Sequence, residues 1–199
     1  MRLAQRLAPI LKVISGAISD WIFISSSAWV VGDAGKTARL NTGSTGTWQI
    51  LETNSNKRSV TTGKYYFEIT VSKYNVGDEQ ALRIGFDHES NFLLFMPRGV
   101  LVKRSNTLIP YMQSDSGNIN IGFWGLNDVI GCSIEPSGGN TNVRFYINGV
   151  DAGLNKAPYT LSGVESCSIV ARGYRNNDTR DIEVKNQSLR YLPVGFEPW

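Results

Sequence analysis

The sequence has one histidine, His88, between Asp87 and Glu89 in a run that is typical of a polar turn. Histidine beside a carboxylate can act as general base for a serine, so a Ser-His-Asp arrangement around His88 stays open as an alternative. No segment resembles a nucleophile elbow, however, and a loop histidine beside two acids is more often a solvated turn. With so few histidine and cysteine ligands, we predict no metal site and no cofactor.

Asp181 and Glu183 form the second group that could do chemistry, because alternate positions of a strand lie on one face. Two carboxylates across a groove can cleave a glycosidic bond. This pair lacks the third acid of an E-x-D-x-x-E strand, and two acids on the outer face of an edge strand are typical of a solvated surface. We therefore predict a protein that is not an enzyme, with glycan cleavage kept as an alternative.

Length and composition favour one soluble β domain. The chain has 199 residues, 41% of them hydrophobic and 19% charged, with a formal charge of +3 and 20 glycines. The basic residues are scattered along the chain, whereas a nucleic-acid-binding face concentrates them, so we predict no nucleic-acid partner. The two cysteines, Cys132 and Cys167, lie in apolar runs and are predicted to be buried thiols. No apolar run is long enough to span a membrane.

Short alternating runs separated by turn residues predict an all-β sandwich or barrel. The clearest example lies at residues 128–151, where two runs with one apolar face each flank a loop rich in Gly and Asn. Asn148-Gly149 then supplies the two positive-φ residues of a tight type I′ turn, so a third strand is predicted to begin at Val150.

Residues 1–20 differ from the rest and predict an amphipathic helical extension ahead of a β domain at residues 21–199. Pro9 would begin or kink this helix, and Pro9 and Lys12 interrupt the apolar core that a signal peptide needs. The helix either packs on its own domain or docks on another subunit. Its apolar stripe, which is our predicted docking surface, consists of Leu3, Leu7, Ile10, Leu11, Ile14 and Ile18.

Four segments resemble the motifs of SPRY domains in order and spacing. They are Gly63-Lys64-Tyr65-Tyr66-Phe67-Glu68-Ile69, Leu82-Arg83-Ile84-Gly85-Phe86, Asn127-Asp128-Val129-Ile130-Gly131-Cys132 and Val143-Arg144-Phe145-Tyr146-Ile147-Asn148-Gly149. The resemblance implies a bent antiparallel β-sandwich related to the concanavalin-like jelly roll. Asn127 departs from the family, which usually has Gly before the Asp.

The C-terminal residues 191–199, YLPVGFEPW, resemble the Y-x-P-P-x-G-F-x-x-W ending of SPRY-type modules in tailed-phage virion proteins. This resemblance implies a structural or accessory protein of the virion (tail, collar or head decoration), made in the host cytoplasm. Its expected partners are other virion proteins or copies of itself, and host-surface carbohydrate or protein. The alternatives are a glycan-binding or glycan-cleaving protein and an intracellular peptide-recognition adaptor.

A binding module needs polar and aromatic side chains on loops that a rigid sandwich holds in place. In SPRY domains, loops at one edge of the sandwich form the ligand surface, and four polar segments of this chain are candidates for it. The predicted binding residues are Tyr74, Asn75, His88, Asn91, Asn140, Arg172, Tyr174, Arg175 and Asn177. Tyr and Arg are enriched at binding hot spots, which favours the segment 172–177, although a plain polar turn is the alternative.

Overall fold

The computed structural model describes residues 21–41, 47–54, 57–75, 82–88, 91–96, 100–103, 107–110, 124–153, 157–175 and 181–199. These residues form strands and one short 3-10 helix, Asp33–Gly35. The strands are β1 (Trp29–Gly32), β2 (Thr37–Leu40), β3 (Thr47–Leu51), β4 (Arg58–Ser59), β5 (Tyr65–Asn75), β6 (Leu82–His88), β7 (Asn91–Met96), β8 (Val100–Lys103), β9 (Thr107–Pro110), β10 (Val129–Ser137), β11 (Asn140–Ile147), β12 (Val150–Asp151), β13 (Tyr159–Ser162), β14 (Ser166–Arg175), β15 (Asp181–Lys185) and β16 (Glu197–Pro198). The predicted helix of residues 1–20, with its whole apolar stripe, lies outside the described residues.

The strands form two sheets, as the alternating runs predicted. The first sheet has the order β1-β2-β15-β5-β10-β11-β12, with β13 beside β11 and β16 parallel to β5. The second has the order β3-β14-β6-β7-β8-β9, with β4 beside β14. Apart from β16, the strand pairs are antiparallel, and inward-facing aromatic residues such as Phe67, Phe86 and Phe95 are buried in one core. The described part of the chain is therefore a two-layer β-sandwich.

The hairpin that the sequence predicted at residues 128–151 is present. Cys132 lies opposite Phe145 and Ile134 opposite Val143, and all four side chains are fully buried. Asn148 and Gly149 have φ of 51° and 80°, the two positive values of the predicted turn, and β12 begins at Val150. Both cysteines are free thiols in the interior, as predicted.

The turn before β10 is locked to this hairpin by side-chain hydrogen bonds. The Asp128 carboxylate accepts from the backbone N–H of Gly125 at 2.8 Å and from the Asn148 amide at 2.7 Å. The side-chain oxygen Oδ1 of Asn148 in turn accepts a hydrogen bond from the backbone N–H of Val129 at 2.9 Å. Asn127 has φ of 69°, a left-handed conformation that Asn tolerates better than most residues. This explains how Asn can stand where SPRY domains usually have Gly.

Glu68 fastens the C-terminal segment 186–199 to the outer face of the first sheet. Its buried carboxylate accepts the backbone N–H groups of Arg190 and Tyr191 at 2.8 and 2.7 Å and the Tyr66 hydroxyl at 3.0 Å. Burial raises the pKa of Glu68, and the two N–H bonds oppose that rise. Burial, with the Glu68 charge next, also raises the pKa of Tyr66, which remains a hydrogen-bond donor.

The segment then ends inside the sandwich. Trp199 is buried, with its ring centroid 5.4 Å from that of Phe86 and 6.2 Å from that of Phe67. Its backbone N–H donates to the Tyr66 carbonyl at 2.9 Å. Trp199 is thus part of the core.

Candidate functional site

The outward face of the second sheet carries a group of large side chains, which we call the arginine–aromatic cluster. Strand β14 lies between β3 and β6 and brings their side chains together. In the register, Trp48 lies opposite Tyr174, and Arg172 lies opposite both Ile50 and Arg83. The cluster consists of Trp48, Ile50, Arg83, Arg172 and Tyr174.

Alternation explains why these side chains point away from the core. The residues between them along the strands, Leu51, Ala171 and Ile84, lie opposite one another and are at most 1% exposed in the core. Successive side chains of a strand point to opposite faces, so the neighbours of these core residues face outward.

An arginine stacked on a tryptophan forms the centre of the cluster. The Arg83 guanidinium carbon lies 3.6 Å from the centroid of the Trp48 ring, a cation–π contact at close range. The Tyr174 ring flanks the same tryptophan, with centroids 5.3 Å apart and planes tilted by 57°. Arg83 is 7% exposed, so this contact holds the guanidinium in a fixed position.

Arg172 places a second cation directly opposite the first. Burial lowers the pKa of Arg172, and the negative charge of Asp87 partly offsets the effect. Both guanidinium groups stay charged at neutral pH, because arginine does not lose its proton in proteins. Ile50, on the other side of Arg172, is 44% exposed and gives the cluster an apolar border.

The strands extend further than predicted, so the assignment of the binding residues to loops was wrong for most of them. Tyr74 and Asn75 end β5, His88 and Asn91 pair where β6 meets β7, Asn140 begins β11, and Arg172, Tyr174 and Arg175 lie within β14. Long paired strands satisfy the backbone hydrogen bonds of polar residues as well as apolar ones, and composition alone does not show this. Asn177 lies outside the described residues.

The predicted binding residues do not form one surface. Arg172 and Tyr174 belong to the arginine–aromatic cluster. Tyr74 lies in the first sheet opposite Ile182, with its ring 6.5 Å from buried Trp124, and Asn140 lies opposite Ser162 at the far hairpin. Whether any of these residues binds a ligand stays a prediction.

Trp48 and Arg83 were not predicted as site residues, and the sequence carried a signal only for Arg83. Trp48 alternates with Ile50, and Arg83 occupies the polar position between the apolar residues Leu82 and Ile84. Alternation therefore places Arg83 on an outer face, whereas for the apolar Trp48 and Ile50 it predicts the core face, which the structure gives to Leu51 instead. The meeting of Trp48 and Arg83 across β14 depends on strand order and register, which the sequence does not show.

The acids considered for catalysis form ion pairs on the outer face of the first sheet. Asp181 contacts Arg39 at 2.9 Å and Lys73 at 3.6 Å. Glu183 accepts a hydrogen bond from the Ser72 hydroxyl at 2.7 Å and lies 3.7 Å from Lys185. Their charges are thus balanced by neighbouring cations and a hydroxyl within the sheet.

Within the described ranges, no three acidic, histidine or cysteine side chains are grouped so that they could hold a metal ion. In the same part of the chain, no helix has the length and apolar character that a membrane crossing requires.

Comparison with known proteins gives a fold relationship. No family model and no curated protein matches the chain. The SPRY domain of human HERC1 is similar over 82% of this chain and 95% of its own, with 15% identity and a TM-score of 0.53. The carbohydrate-binding module CBM66 from Bacillus subtilis covers 85% of this chain and 94% of its own at 10% identity, with a TM-score of 0.49. The exoplasmic/lumenal domain of VIP36 covers 94% and 91% at 10% identity, with a TM-score of 0.46.

The chain therefore has the fold of a SPRY domain, a bent antiparallel β-sandwich of the concanavalin-like type. This confirms the fold that the four motifs implied. At 15% identity the likeness concerns the fold, so the function has to be argued from the surface.

Proposed function

We propose that this protein is a non-catalytic binding module, and that the arginine–aromatic cluster is its recognition surface. The observation that carries the proposal is the Arg83 guanidinium stacked 3.6 Å above Trp48, beside Tyr174 and opposite Arg172 on an outward face. Trp, Tyr and Arg are the residue types that dominate binding hot spots. A sheet holds such residues more rigidly than a loop, which lowers the entropic cost of binding.

The ionisable groups support a role without catalysis. The carboxylates of Asp181 and Glu183 are held by neighbouring cations. The buried carboxylate of Glu68 is engaged by the C-terminal segment. A hydrolase would need such groups aimed at a substrate position instead. Saccharide turnover that Asp181→Asn or Glu183→Gln abolishes would overturn this part of the proposal.

We further propose that the module belongs to the virion of a tailed phage, as a tail, collar or head-decoration protein. The resemblance of residues 191–199 to the ending of phage SPRY-type modules supports this setting. In it, residues 1–20 dock the protein on other virion proteins or on its own copies. Removing residues 1–20 should then lower the mass of the assembly in solution, and an unchanged mass with and without partner would refute the docking role.

A photo-crosslinking experiment tests the recognition surface. A photoreactive amino acid replaces Ile50, which is 44% exposed within the cluster, or Val30, which is 60% exposed on edge strand β1 of the first sheet. Each full-length variant is irradiated with phage particles and, separately, with host-cell envelopes, and the products are identified by mass spectrometry.

We expect one recurring product from position 50 that is absent from position 30, and a virion protein as the partner would support the virion setting. Equal products from both positions, or none from position 50, would overturn the cluster as the recognition surface. A polysaccharide product from position 50 would keep the binding function and favour the glycan alternative.

A further inference from the structure

We infer that residues 1–20 cover the outer face of the second sheet in the free protein. Their apolar stripe would lie on the row formed by Val170, Gly85 and Leu94, next to the arginine–aromatic cluster, and would have to leave before a partner binds there. Three features carry the placement: the burial of this row, the course of the chain at residues 21–24, and length. The effect on binding rests on the function proposed for the cluster.

Two apolar side chains of this row are buried although they point away from the core. Val170 lies opposite Gly85, and Gly85 lies opposite Leu94. Their neighbours along the strands belong to the core: Ile169, Ala171, Leu93 and Phe95. Alternation therefore turns Val170 and Leu94 outward, yet they are 3% and 0% exposed. An outward leucine on an open sheet would contact water, so a further layer lies over it.

Arg83 does not supply this layer. Its guanidinium is held over Trp48, which lies opposite Tyr174. Tyr174 is four residues along β14 from Val170, or about 13 Å at the rise of an extended strand. The Arg83 side chain therefore reaches away from Val170 and Leu94.

Arg172 can shield Val170 but does not reach Leu94. The charge of Asp87 acts on Arg172, and Val170 lies between the two on the same face. Leu94 is on β7, two strand spacings or about 10 Å from β14. The C-terminal segment packs on the other sheet. The layer over Leu94 is therefore assigned to residues outside the described part of the chain.

The chain enters the described part of the structure at the edge of this face. Phe23 pairs antiparallel with Thr53, two residues after β3, so the chain runs along the second sheet here. Trp21 and Phe23 are buried in the core, which turns Ile24 outward, and Ile24 is 42% exposed. Residues 1–20 are thus joined to the domain beside the outer face of the second sheet.

Length and pattern favour residues 1–20 as the covering segment. From the strand at Phe23 to β7 the face is four strand spacings wide, about 19 Å. A helix of residues 1–20 would be about 30 Å long, and the part after Pro9 alone about 17 Å. Its six apolar side chains leave water when they pack on an apolar row. Residues 111–123 are rich in Ser, Gly and Asn and lack a helical stripe.

A helix in this position would compete with a partner of the cluster. Arg172 is two residues along β14 from Val170, about 7 Å, and a helix with its side chains is about 10 Å across. Residues 1–20 would therefore reach the near side of the cluster, at Arg172 and Ile50. Docking of residues 1–20 on another virion protein would free this side for recognition.

Thiol labelling at position 94 tests the placement. Leu94→Cys is made in the full-length protein, whose own cysteines are buried. The reference is Val30→Cys on edge strand β1 of the first sheet, where Val30 is 60% exposed. Iodoacetamide labelling of each is followed by mass spectrometry, and near-ultraviolet circular dichroism verifies that each variant is folded.

Each cysteine variant is combined with one of two changes in residues 1–20. Leu11→Glu with Ile14→Glu, the stripe variant, places charge in the apolar stripe. Gln5→Glu with Lys12→Gln, the matched control, changes the net charge by the same amount on the opposite face of the predicted helix.

We expect labelling at position 94 to be about tenfold faster in the stripe variant than with unchanged residues 1–20, because the apolar contact that closes the face is lost. The matched control should not accelerate it, and labelling at position 30 should be equal in all backgrounds. Equally slow labelling at position 94 in all backgrounds would assign the cover to another segment and overturn the inference. Protection that disappears on dilution would also overturn it, because a second copy would then supply the cover.

Photo-crosslinking from position 50 tests the competition separately. In the free protein, a photoreactive amino acid at position 50 should form a product with residues 1–20 of the same chain. Added phage particles or host-cell envelopes should replace this product with the partner product. An internal product that is absent, or that persists unchanged as the partner product forms, would overturn the competition. An internal product without any partner product would support the placement and overturn the proposed function.

Discussion

The outer faces of the two sheets carry different kinds of side-chain contact. On the first sheet, the salt bridge of Arg39 with Asp181 and the salt bridge of Arg144 with Asp151 neutralise charge, and the C-terminal segment covers further surface. On the second sheet, two arginines lie directly opposite each other and one stacks on a tryptophan. The first face is held by ion pairs and by the C-terminal segment, while the second carries the arginine–aromatic cluster.

The packing of the C-terminal segment on the first sheet explains two residues of the SPRY-like motifs, Glu68 and Gly131. Glu68 accepts hydrogen bonds from the C-terminal segment, whose Leu189 and Leu192 pack on Tyr66 and Tyr146. Gly131 has no side chain because a Cβ there would lie 2.1 Å from the Tyr66 hydroxyl oxygen. These residues specify a fold, which is why the SPRY motifs predict architecture better than ligand.

The largest loss of stability is expected where Glu68 holds the C-terminal segment on the outer face of the first sheet. Glu68→Ala removes the acceptor of two backbone N–H groups and of the Tyr66 hydroxyl, and should lower the free energy of unfolding by about 2 to 3 kcal/mol. Urea denaturation measures this loss. Glu68→Gln keeps one acceptor oxygen and should lose less. A loss under about 0.5 kcal/mol for the alanine variant would show that the segment is held by other contacts.

A smaller effect on stability is expected in the cluster. Arg83→Ala should cost about 1 kcal/mol through the lost cation–π contact, and should open one face of Trp48. Acrylamide quenching of fluorescence reports this opening, because Trp21, Trp29, Trp124 and Trp199 are at most 3% exposed and Trp48 is not. We expect stronger quenching in Arg83→Ala than in the wild type. Unchanged quenching would contradict the stacked geometry.

The ion pair between Arg39 and Asp181, on the outer face of the first sheet, should contribute little to stability. The side chains of Arg39 and Asp181 are 55% and 31% exposed, and pairs of this kind contribute about 0 to 1 kcal/mol. Arg39→Gln should therefore shift the urea midpoint only slightly, and less still at high salt. A large loss would mean that the outer face of the first sheet depends on this pair.

The subtlest expectation concerns pH and again involves Glu68. Burial raises the pKa of Glu68 in the folded state. The stability that Glu68 contributes is therefore fully present below the pKa that Glu68 has in the unfolded chain. It is lost as the pH rises through the pKa that Glu68 has in the folded protein. Urea midpoints at several pH values from 4 to 7 compare wild type with Glu68→Gln, which does not titrate. The advantage of the wild type should shrink as pH rises. An advantage that grows with pH would show that the N–H bonds outweigh burial.

The sequence by itself determined the all-β class and the inner face of the central hairpin. Period-two alternation placed Cys132, Ile134, Val143 and Phe145 in the core, and Asn148-Gly149 fixed a turn, because both signals act over a few residues. It also indicated that Arg172 and Tyr174 could bind, since those residue types favour interfaces.

Only the tertiary structure decided which outward side chains meet. Trp48 is 35 residues from Arg83 in the sequence and 126 from Tyr174, yet all three lie together because β14 pairs with both β3 and β6. In the same way, Glu68 reaches the backbone of Arg190 across 122 residues. Strand order and register arise from packing of the whole core, so no local pattern in the sequence could have shown these contacts.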